Sequence, residues 1–252
     1  MRRPFMAANW KMNKTVSEAL DMATELKELV SDVEDVDMAL CSPATNLYPL
    51  KNLLKDTEIA LGGQNLHYKE SGAFTAELST DMLKSVGCEY VVVGHSERRE
   101  IFGEDDALIN LKMKRAVAEG IIPILCIGEK LEEREAGKHF DRVKFQLAAD
   151  LSGLEADDVK DIVLAYEPLW AIGTGETATP EQAEEIIKFI REELARMYDE
   201  DTAEKVRIQY GGSVKPWNVK EIMDQPNIDG ALVGGASLEA ESFSKIIKFE
   251  EQ

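Results

Sequence analysis

The sequence has few cysteines, no long hydrophobic run and no excess of positive charge. Its three cysteines are odd in number and widely spaced, without the pairing of a zinc site, so we expect reduced thiols packed as small core residues: Cys41, Cys88 and Cys126. No apolar run approaches the roughly 20 residues of a membrane span, and the N-terminus lacks the apolar stretch of an export signal. These absences predict a soluble, cytoplasmic protein.

Acidic residues outnumber basic residues by a wide margin. The 29 lysines and arginines against 48 aspartates and glutamates give a formal net charge of −19. Proteins that bind nucleic acid or anionic membranes use basic surfaces, so neither partner is expected. Taken alone, the charge also argues against a phosphate-bearing substrate. The hydrophobic fraction of 44 % is ordinary for a globular protein, and the length suits a single domain, which we place at residues 1–252.

Short apolar segments alternate with longer amphipathic segments along the whole chain. The short segments predict eight strands, several of them apolar throughout, as in sheets buried on both faces: residues 5–9, 37–41, 59–64, 90–94, 122–127, 162–167, 207–210 and 230–233. Apolar spacing predicts a helix after each strand: residues 17–30, 47–54, 80–86, 105–119, 139–151, 180–198, 217–223 and 242–247. Ser17 is the expected N-cap of the first helix, and Thr179 forms a capping box with Gln182 at the sixth.

Strict alternation of strand and helix over about 250 residues leaves two main architectures, a closed barrel or an open doubly wound sheet. An open sheet of the dinucleotide-binding type carries a G-x-G-x-x-G turn after an early strand, whereas the first strand here ends in residues 9–13, NWKMN. No linker or shift in composition divides the chain. The sequence therefore predicts an α/β protein with a closed, eight-stranded parallel (β/α)8 barrel.

Polar side chains gather at the predicted carboxyl ends of the strands, which form the active face of such barrels. Asn9 and Lys11 follow the first strand, His95 and Glu97 follow the fourth, and Glu167 ends the sixth. No cluster of His, Cys, Asp and Glu has the spacing of metal ligands, so a metal site is not expected.

Glu167 and His95 are the candidate proton-transfer groups. Glu167 follows a buried strand, where burial is expected to raise the pKa of its carboxyl toward the value that a general base needs. His95 directly precedes helix-like residues, and a helix N-terminus is expected to lower the pKa of the imidazole and keep it neutral. Each residue taken singly also fits a structural role, as a salt-bridged glutamate or a satisfied core histidine.

Glycine-rich segments after the last three strands indicate phosphate binding. Residues 211–213 (GGS) and 234–237 (GGAS) follow strands seven and eight, where barrels hold phosphate with backbone N–H groups. Residues 171–175 (AIGTG) follow strand six and predict a mobile lid. Each glycine segment taken singly could also be an ordinary tight turn. Lys11 taken singly could also be a solvent-exposed lysine in a loop. The three segments together favour a phosphate site.

The chain resembles the triosephosphate isomerase family over essentially its whole length, with motifs in the same order and at similar spacing. The matching segments are residues 8–13 (ANWKMN), 64–65 (QN), 71–75 (SGAFT), 93–99 (VGHSERR), 126–129 (CIGE), 165–175 (AYEPLWAIGTG), 209–215 (QYGGSVK) and 229–238 (DGALVGGASL). The resemblance implies a TIM barrel enzyme of glycolysis and gluconeogenesis. Its reaction would interconvert dihydroxyacetone phosphate and D-glyceraldehyde 3-phosphate through an enediol(ate), without a cofactor.

The resemblance also implies a role for each site residue. Glu167 would move a proton between two carbons, and His95 would polarise the carbonyl oxygen as a neutral imidazole. Lys11 would supply positive charge, Asn9 would contact substrate oxygens, and Glu97 would be a supporting carboxylate. Further substrate contacts are implied at the backbone N–H groups of the phosphate site: Gly173, Ser213, Gly234 and Gly235. A homodimer is implied too, in which the loop around Thr75 inserts into the neighbouring subunit.

Two other functions fit part of the pattern. Another phosphate-binding barrel isomerase or epimerase would share the glycine segments, but is not expected to carry the same catalytic residues together. A non-catalytic barrel would be indicated by loss of Glu167 or His95, and both are present. If the substrate carries a phosphate, we expect the acidic side chains to lie on outward helix faces, such as residues 132–135 and 181–193, and to surround a positively charged barrel mouth.

Overall fold

A computed structural model of the chain describes residues 2–171 and 177–251. Eight parallel strands close into one barrel in sequence order. They are β1 (Phe5–Asn9), β2 (Asp37–Cys41), β3 (Ile59–Gly63), β4 (Cys88–Val93), β5 (Ile122–Ile127), β6 (Val163–Tyr166), β7 (Arg207–Tyr210) and β8 (Gly230–Val233). The barrel closes at β1, where Phe5 is in register with Asp37 of β2 and with Gly230 of β8. The predicted closed, parallel eight-stranded (β/α)8 barrel is confirmed.

Helices surround the barrel and connect its strands. Twelve α-helices lie in the two described ranges: α1 (Val16–Leu29), α2 (Ala44–Leu54), α3 (Thr80–Ser85), α4 (Ser96–Glu100), α5 (Asp106–Ala118), α6 (Leu131–Glu135), α7 (His139–Asp150), α8 (Ala156–Val159), α9 (Pro180–Met197), α10 (Glu200–Lys205), α11 (Val219–Met223) and α12 (Ala240–Ile247). Three 3-10 helices complete the fold: Leu169–Ala171, Gly235–Leu238 and Phe249–Glu251. None of the described helices is both long enough and apolar enough to cross a membrane.

The helix ends follow local capping chemistry, and one predicted cap is wrong. The N-cap of α1 is Thr15 rather than Ser17, because Glu18 lies three residues after Thr15 and completes a capping box. Its carboxylate accepts the Thr15 N–H at 2.7 Å. The predicted box of Thr179 and Gln182 at α9 is confirmed. The prediction of one helix after each strand is incomplete, since the connections also contain the short helices α4, α6, α8 and α10.

The core has two layers, one on each side of the strands. The inner layer fills the barrel with alternate strand residues, among them Phe5, Ala7 and Leu232. The outer layer joins the barrel to the helices and includes Met6 and Ala8. Because the strands are covered on both faces, most of their side chains are apolar on both faces, which is why several strands form continuous hydrophobic runs in the sequence. The three cysteines are free and buried in these layers.

The negative charge lies mainly on the outer helices. Glu132, Glu135, Glu181 and Glu185 are exposed on α6 and α9, as the outward-face hypothesis expects. Glu193 is the exception, with a side chain only 4 % exposed that pairs with Lys144 and Arg196. The position of Glu193 on α9 faces α7 rather than solvent, so its burial follows from helix packing.

Candidate active site

The alternation of side chains along the strands brings two predicted residues to the barrel mouth. In β1, Ala7 points into the barrel and Asn9 is the next residue on the same face. In β6, Ala165 points inward and Glu167 follows two residues later, directly after the strand. Both side chains are buried, at 5 % exposure for Asn9 and 2 % for Glu167. The period of two therefore aims an amide and a carboxylate into the same space.

His95 is held by the helix that follows it. It is the N-cap of α4, and its Nδ1 accepts a hydrogen bond from the Glu97 N–H at 3.1 Å. When Nδ1 is the acceptor, the single proton of a neutral imidazole lies on Nε2. That Nε2 lies 3.0 Å from Oε1 of Glu167. The predicted helix end beside the imidazole is confirmed, and it presents Nε2–H to the cleft as a donor.

The carboxylate of Glu167 lies between His95 and the backbone of α4. Its Oε2 accepts the Ser96 N–H at 2.9 Å. Burial raises the pKa of the Glu167 carboxyl, but His95, the Ser96 amide and Lys11 together outweigh burial and hold the pKa below its ordinary value of 4.5. The expected rise in this pKa is therefore wrong for the arrangement seen here. The expectation considered only the apolar strand, whereas the opposing groups come from β4 and β1.

The imidazole of His95 shows the complementary shift. Burial lowers its pKa, but the carboxylates of Glu167 and Glu97 outweigh burial and hold the pKa above its ordinary value of 6.5. The expected lowering is thus wrong as well while Glu167 stays in contact. A second ring proton would sit on Nδ1, facing the Glu97 N–H. The end of α4 therefore opposes protonation of the ring while Glu167 favours it.

Lys11 has a left-handed backbone conformation with φ 52°. Non-glycine residues in this region carry strain of about 1–3 kcal/mol, so neighbouring groups must hold Lys11 in place. Its N–H donates to Asn9 Oδ1 at 3.1 Å, and Gln64 Nε2 donates to its carbonyl oxygen at 2.9 Å. The resulting direction of the side chain puts Nζ 2.7 Å from Oε1 of Glu97.

Glycine-rich turns after β7 and β8 face the same cleft, which has a volume of about 280 Å³. Four backbone N–H groups of these turns have no hydrogen-bond acceptor within residues 2–171 and 177–251. They are those of Gly212, Ser213, Gly234 and Gly235. Backbone N–H groups that converge beside a lysine form an anion-binding concavity. The cleft thus combines a carboxylate, an imidazole donor, an ammonium group and backbone N–H groups of the kind that bind anions. The described residues contain no group of three or more His, Cys, Asp or Glu placed to hold a metal ion.

Comparison with known proteins decides the family. A family model described as triosephosphate isomerase matches residues 4–250. The chain belongs to the triosephosphate isomerase family. The triosephosphate isomerase of Carboxydothermus hydrogenoformans is 53 % identical over 248 residues, which cover 98 % of this chain and 99 % of that one. That of Endomicrobium trichonymphae is 53 % identical over 251 residues and the full length of both chains.

Similarity in three dimensions extends over the same length. The crystal structure of triosephosphate isomerase from Bartonella henselae is similar with a TM-score of 0.89 at 37 % identity, over 99 % of this chain and 100 % of that one. Both the sequence and the fold of this chain are therefore those of the triosephosphate isomerase family.

Most site residues predicted from the resemblance to triosephosphate isomerases lie around one cleft. Seven of them line it: Asn9, Lys11, His95, Glu167, Ser213, Gly234 and Gly235. Glu97 lies beside the cleft through its ion pair with Lys11. Gly173 and most of the predicted lid lie outside the described residues.

Two residues at the ends of β3 and β5 support the site and carried no predicted role. Gln64 joins Asn9 and Lys11, since its Nε2 donates to Asn9 Oδ1 at 3.3 Å as well as to the Lys11 carbonyl oxygen. Glu129 is fully buried, and its Oε1 accepts the Tyr166 hydroxyl at 3.0 Å and the Trp170 Nε1–H at 2.9 Å. It therefore holds the chain on both sides of Glu167. Both residues follow strands at the active rim, which is the signal that could have found them.

Arg99 ties the ends of two neighbouring strands together behind His95. It donates to the carbonyl oxygens of Gly94 at 2.7 Å and Cys126 at 3.0 Å. Its remaining contacts are to the carboxylates of Asp150, at 2.6 Å, and Asp106. Burial raises the pKa of Asp150 to about 7, although Arg99 beside it opposes the rise.

This shift predicts a pH dependence of stability. In the unfolded chain Asp150 ionises near 3.8, whereas in the folded protein it ionises near 7. Ionisation of the buried Asp150 carboxyl therefore destabilises the folded protein. This destabilisation is absent below pH 3.8, grows between pH 3.8 and pH 7 and is complete above pH 7. Asp150→Asn keeps the size and an acceptor for Arg99, so we expect its free energy of unfolding to rise relative to the original protein by about 2 kcal/mol from pH 5 to pH 8.

Urea unfolding of both proteins across this pH range measures the difference. Asp157→Asn is the matched control, because Asp157 is exposed on α8. A stability difference between Asp150→Asn and the original protein that stays constant from pH 5 to pH 8 would contradict the prediction.

Proposed function

We propose that this chain interconverts dihydroxyacetone phosphate and D-glyceraldehyde 3-phosphate, the reaction of its family. The observation that carries the proposal is the convergence on one cleft of Glu167, His95 and Lys11 with backbone N–H groups that have no acceptor within residues 2–171 and 177–251. The reaction needs one proton moved between two carbons and one moved between two oxygens, with the carbonyl oxygen polarised, while a phosphate is held. Each task has a group of the right chemistry within this cleft.

Glu167 is the proposed general base. Its low pKa keeps the carboxylate ionised at neutral pH, and it accepts its present hydrogen bonds from Ser96 and His95. It would exchange the Ser96 contact for the substrate, take a proton from the hydroxyl-bearing carbon and return it to the neighbouring carbon. A second proton must pass from the hydroxyl oxygen to the carbonyl oxygen, and His95 would relay it through Nε2. Both side chains are regenerated at the end, so the reaction balances without a redox partner.

His95 is the proposed electrophile. With Nδ1 accepting the Glu97 N–H, its Nε2–H is free to donate to the substrate carbonyl oxygen when Glu167 turns to the substrate. The negative charge that develops on this oxygen would be stabilised by Nε2–H and by the Lys11 ammonium group. Asn9 would contact the same oxygens from β1, since it lines the cleft beside Lys11.

The proposed phosphate ligands are the N–H groups of Ser213, Gly234, Gly235 and Gly173, together with the charge of Lys11. Local donors of this kind bind a dianion even in a protein of net charge −19, because the acidic side chains lie mainly on outer helices. A substrate carrying phosphate is therefore compatible with the composition.

A coupled assay with glyceraldehyde 3-phosphate tests the proposed function. We expect turnover by the purified protein and competitive inhibition by inorganic phosphate. A folded protein with no turnover would refute the proposal, and turnover without inhibition by phosphate or sulfate would refute the anion site.

We further propose a homodimer in which the loop around Thr75 inserts beside the active site of the neighbouring subunit. Residues 69–77 are exposed throughout in the single chain. A second cleft of about 360 Å³ reaches Lys11 and His95 from the rim and is lined by Phe102. Phe102 is 66 % exposed and Met12 is 96 % exposed, as expected for apolar residues that a second subunit covers.

Thr75→Arg tests this dimer. In the proposed dimer the new arginine would lie opposite Lys11 of the partner subunit, and like charges across an interface repel. The substitution should therefore separate the subunits and lower activity by at least about tenfold at micromolar protein. Sedimentation and activity at the same concentration measure both effects. Thr24→Arg on the exposed face of α1 is the matched control. A fully active monomer would contradict the proposed dimer.

Finally, we propose that residues 1–252 work as one barrel domain in the cytoplasm. The three unpaired, buried cysteines fit a reducing compartment, and the proposed substrates are metabolites of glycolysis.

A further inference from the structure

We propose that Asn218 is a positioning residue for the phosphate-binding turn after β7. The inference rests on the proposed function, because it assigns a role in binding the phosphate of the substrate. Asn218 does not line the cleft itself, whereas Ser213, Val214 and Lys215 do. Its effect on the substrate would therefore pass through the turn.

The side-chain amide of Asn218 makes two hydrogen bonds to the backbone of this turn, one through its oxygen and one through its nitrogen. Its Oδ1 accepts the Lys215 N–H at 2.7 Å, and its Nδ2 donates to the Ser213 carbonyl oxygen at 3.1 Å. The side chain thus bonds to the peptide groups on both sides of Val214. Asn218 is only 8 % exposed, so these bonds are largely shielded from competing water.

The turn needs a restraint of this kind because of its glycines. The Gly211 N–H is anchored to the Tyr166 carbonyl oxygen at 2.7 Å. Gly212 has no side chain to limit its backbone, and glycine adopts more conformations than any other residue. The direction of the Ser213 N–H is then determined by what holds the chain after Ser213. That restraint comes from Asn218 and from the buried side chain of Val214.

Asparagine suits this position because one short side chain supplies a donor and an acceptor. It also stands at the N-cap of α11, yet its side chain makes no capping bond to that helix. Asparagine side chains at N-caps ordinarily accept from the first helical turn. Here the amide is turned back to the phosphate-binding turn instead.

The test compares Asn218→Ala with Asn218→Asp. Alanine removes both hydrogen bonds, and aspartate keeps the acceptor for Lys215 but places an oxygen against the Ser213 carbonyl oxygen. We expect both variants to raise KM for glyceraldehyde 3-phosphate and the inhibition constant of inorganic phosphate by a similar factor of about ten. We expect kcat to change by less than about twofold, because a uniform loss of phosphate binding appears in KM.

Asn110→Ala is the matched control. Asn110 Nδ2 also holds a surface turn, through the carbonyl oxygens of Asp150 and Ser152, and none of these three residues lines the cleft. It should lower stability without changing KM. Unchanged KM and phosphate inhibition in both Asn218 variants would overturn the inference, as would equal changes in the Asn110 variant.

Calorimetry with inorganic phosphate separates this inference from the proposed function. If the original protein binds phosphate but turns nothing over, the proposed reaction fails. The phosphate affinities of the Asn218 variants still decide the role of Asn218, with weaker binding supporting it and equal binding overturning it.

Discussion

Glu167→Asp is expected to lower kcat by about a hundredfold or more, because a displacement of about 1 Å at the reacting atoms has effects of this size. The shorter side chain withdraws the carboxylate toward the end of β6 and away from the substrate carbon. Affinity for inorganic phosphate should stay within about twofold, since the anion site lies on the turns after β7 and β8. Steady-state kinetics and phosphate inhibition measure the two effects separately.

Two variants complete this test. Glu167→Gln keeps the length but removes the base, so its kcat should fall at least as far. Glu193→Asp shortens another buried glutamate, one that pairs with Arg196 and Lys144 and does not line the cleft, and it should leave kcat unchanged. Loss of phosphate affinity in step with kcat would point to a structural role for Glu167 and contradict the proposal.

The strands of the barrel are predictable from the sequence because each is largely buried on both faces and therefore mostly apolar. Residues 5–9, 37–41, 122–127, 207–210 and 230–233 agree with the structure at both ends. The helix starts are less predictable, since two capping residues can lie close together, as Thr15 and Ser17 do. Their choice depends on which of them has a partner three residues later.

In the site too, the local sequence predicts some features and not others. Position after a strand predicts that Asn9 and Glu167 lie at the mouth, and both do. The directions of the pKa shifts of His95 and Glu167 are not predictable in this way, because each shift depends on the other residue, 72 positions away in the sequence. Contacts between distant strands, such as those of Gln64, need the closed barrel to be seen.

The net charge illustrates the same distinction. A value of −19 describes the outer surface, and it says nothing of the few groups at the barrel mouth. Lys11 lines the cleft together with backbone N–H groups, which the formal charge does not count. Composition therefore predicts what the outer surface repels, and strand ends predict what the cleft binds.

Lys11→Met is the variant that measures how much of the proposed chemistry depends on that local charge. We expect kcat/KM to fall by about a thousandfold, because hydrogen bonds to charged groups contribute about 1.5–3 kcal/mol each and Lys11 would make two. One is to the phosphate and the other to the oxygen that becomes negative. Steady-state kinetics at constant ionic strength measures the loss.

The ion pair with Glu97 requires a second variant, since removing Lys11 leaves this carboxylate without its partner at 2.7 Å. If repulsion by Glu97 caused the loss, Lys11→Met combined with Glu97→Gln would restore most of kcat/KM. We expect no such recovery, because methionine supplies no charge to the phosphate or the oxygen. Lys215→Met removes an equal charge from the same cleft and should reduce kcat/KM far less, since Lys11 pairs with Glu97 beside His95, whereas Lys215 follows the glycine turn after β7. Equal losses in Lys11→Met and Lys215→Met would reduce the role of Lys11 to its contribution to overall charge.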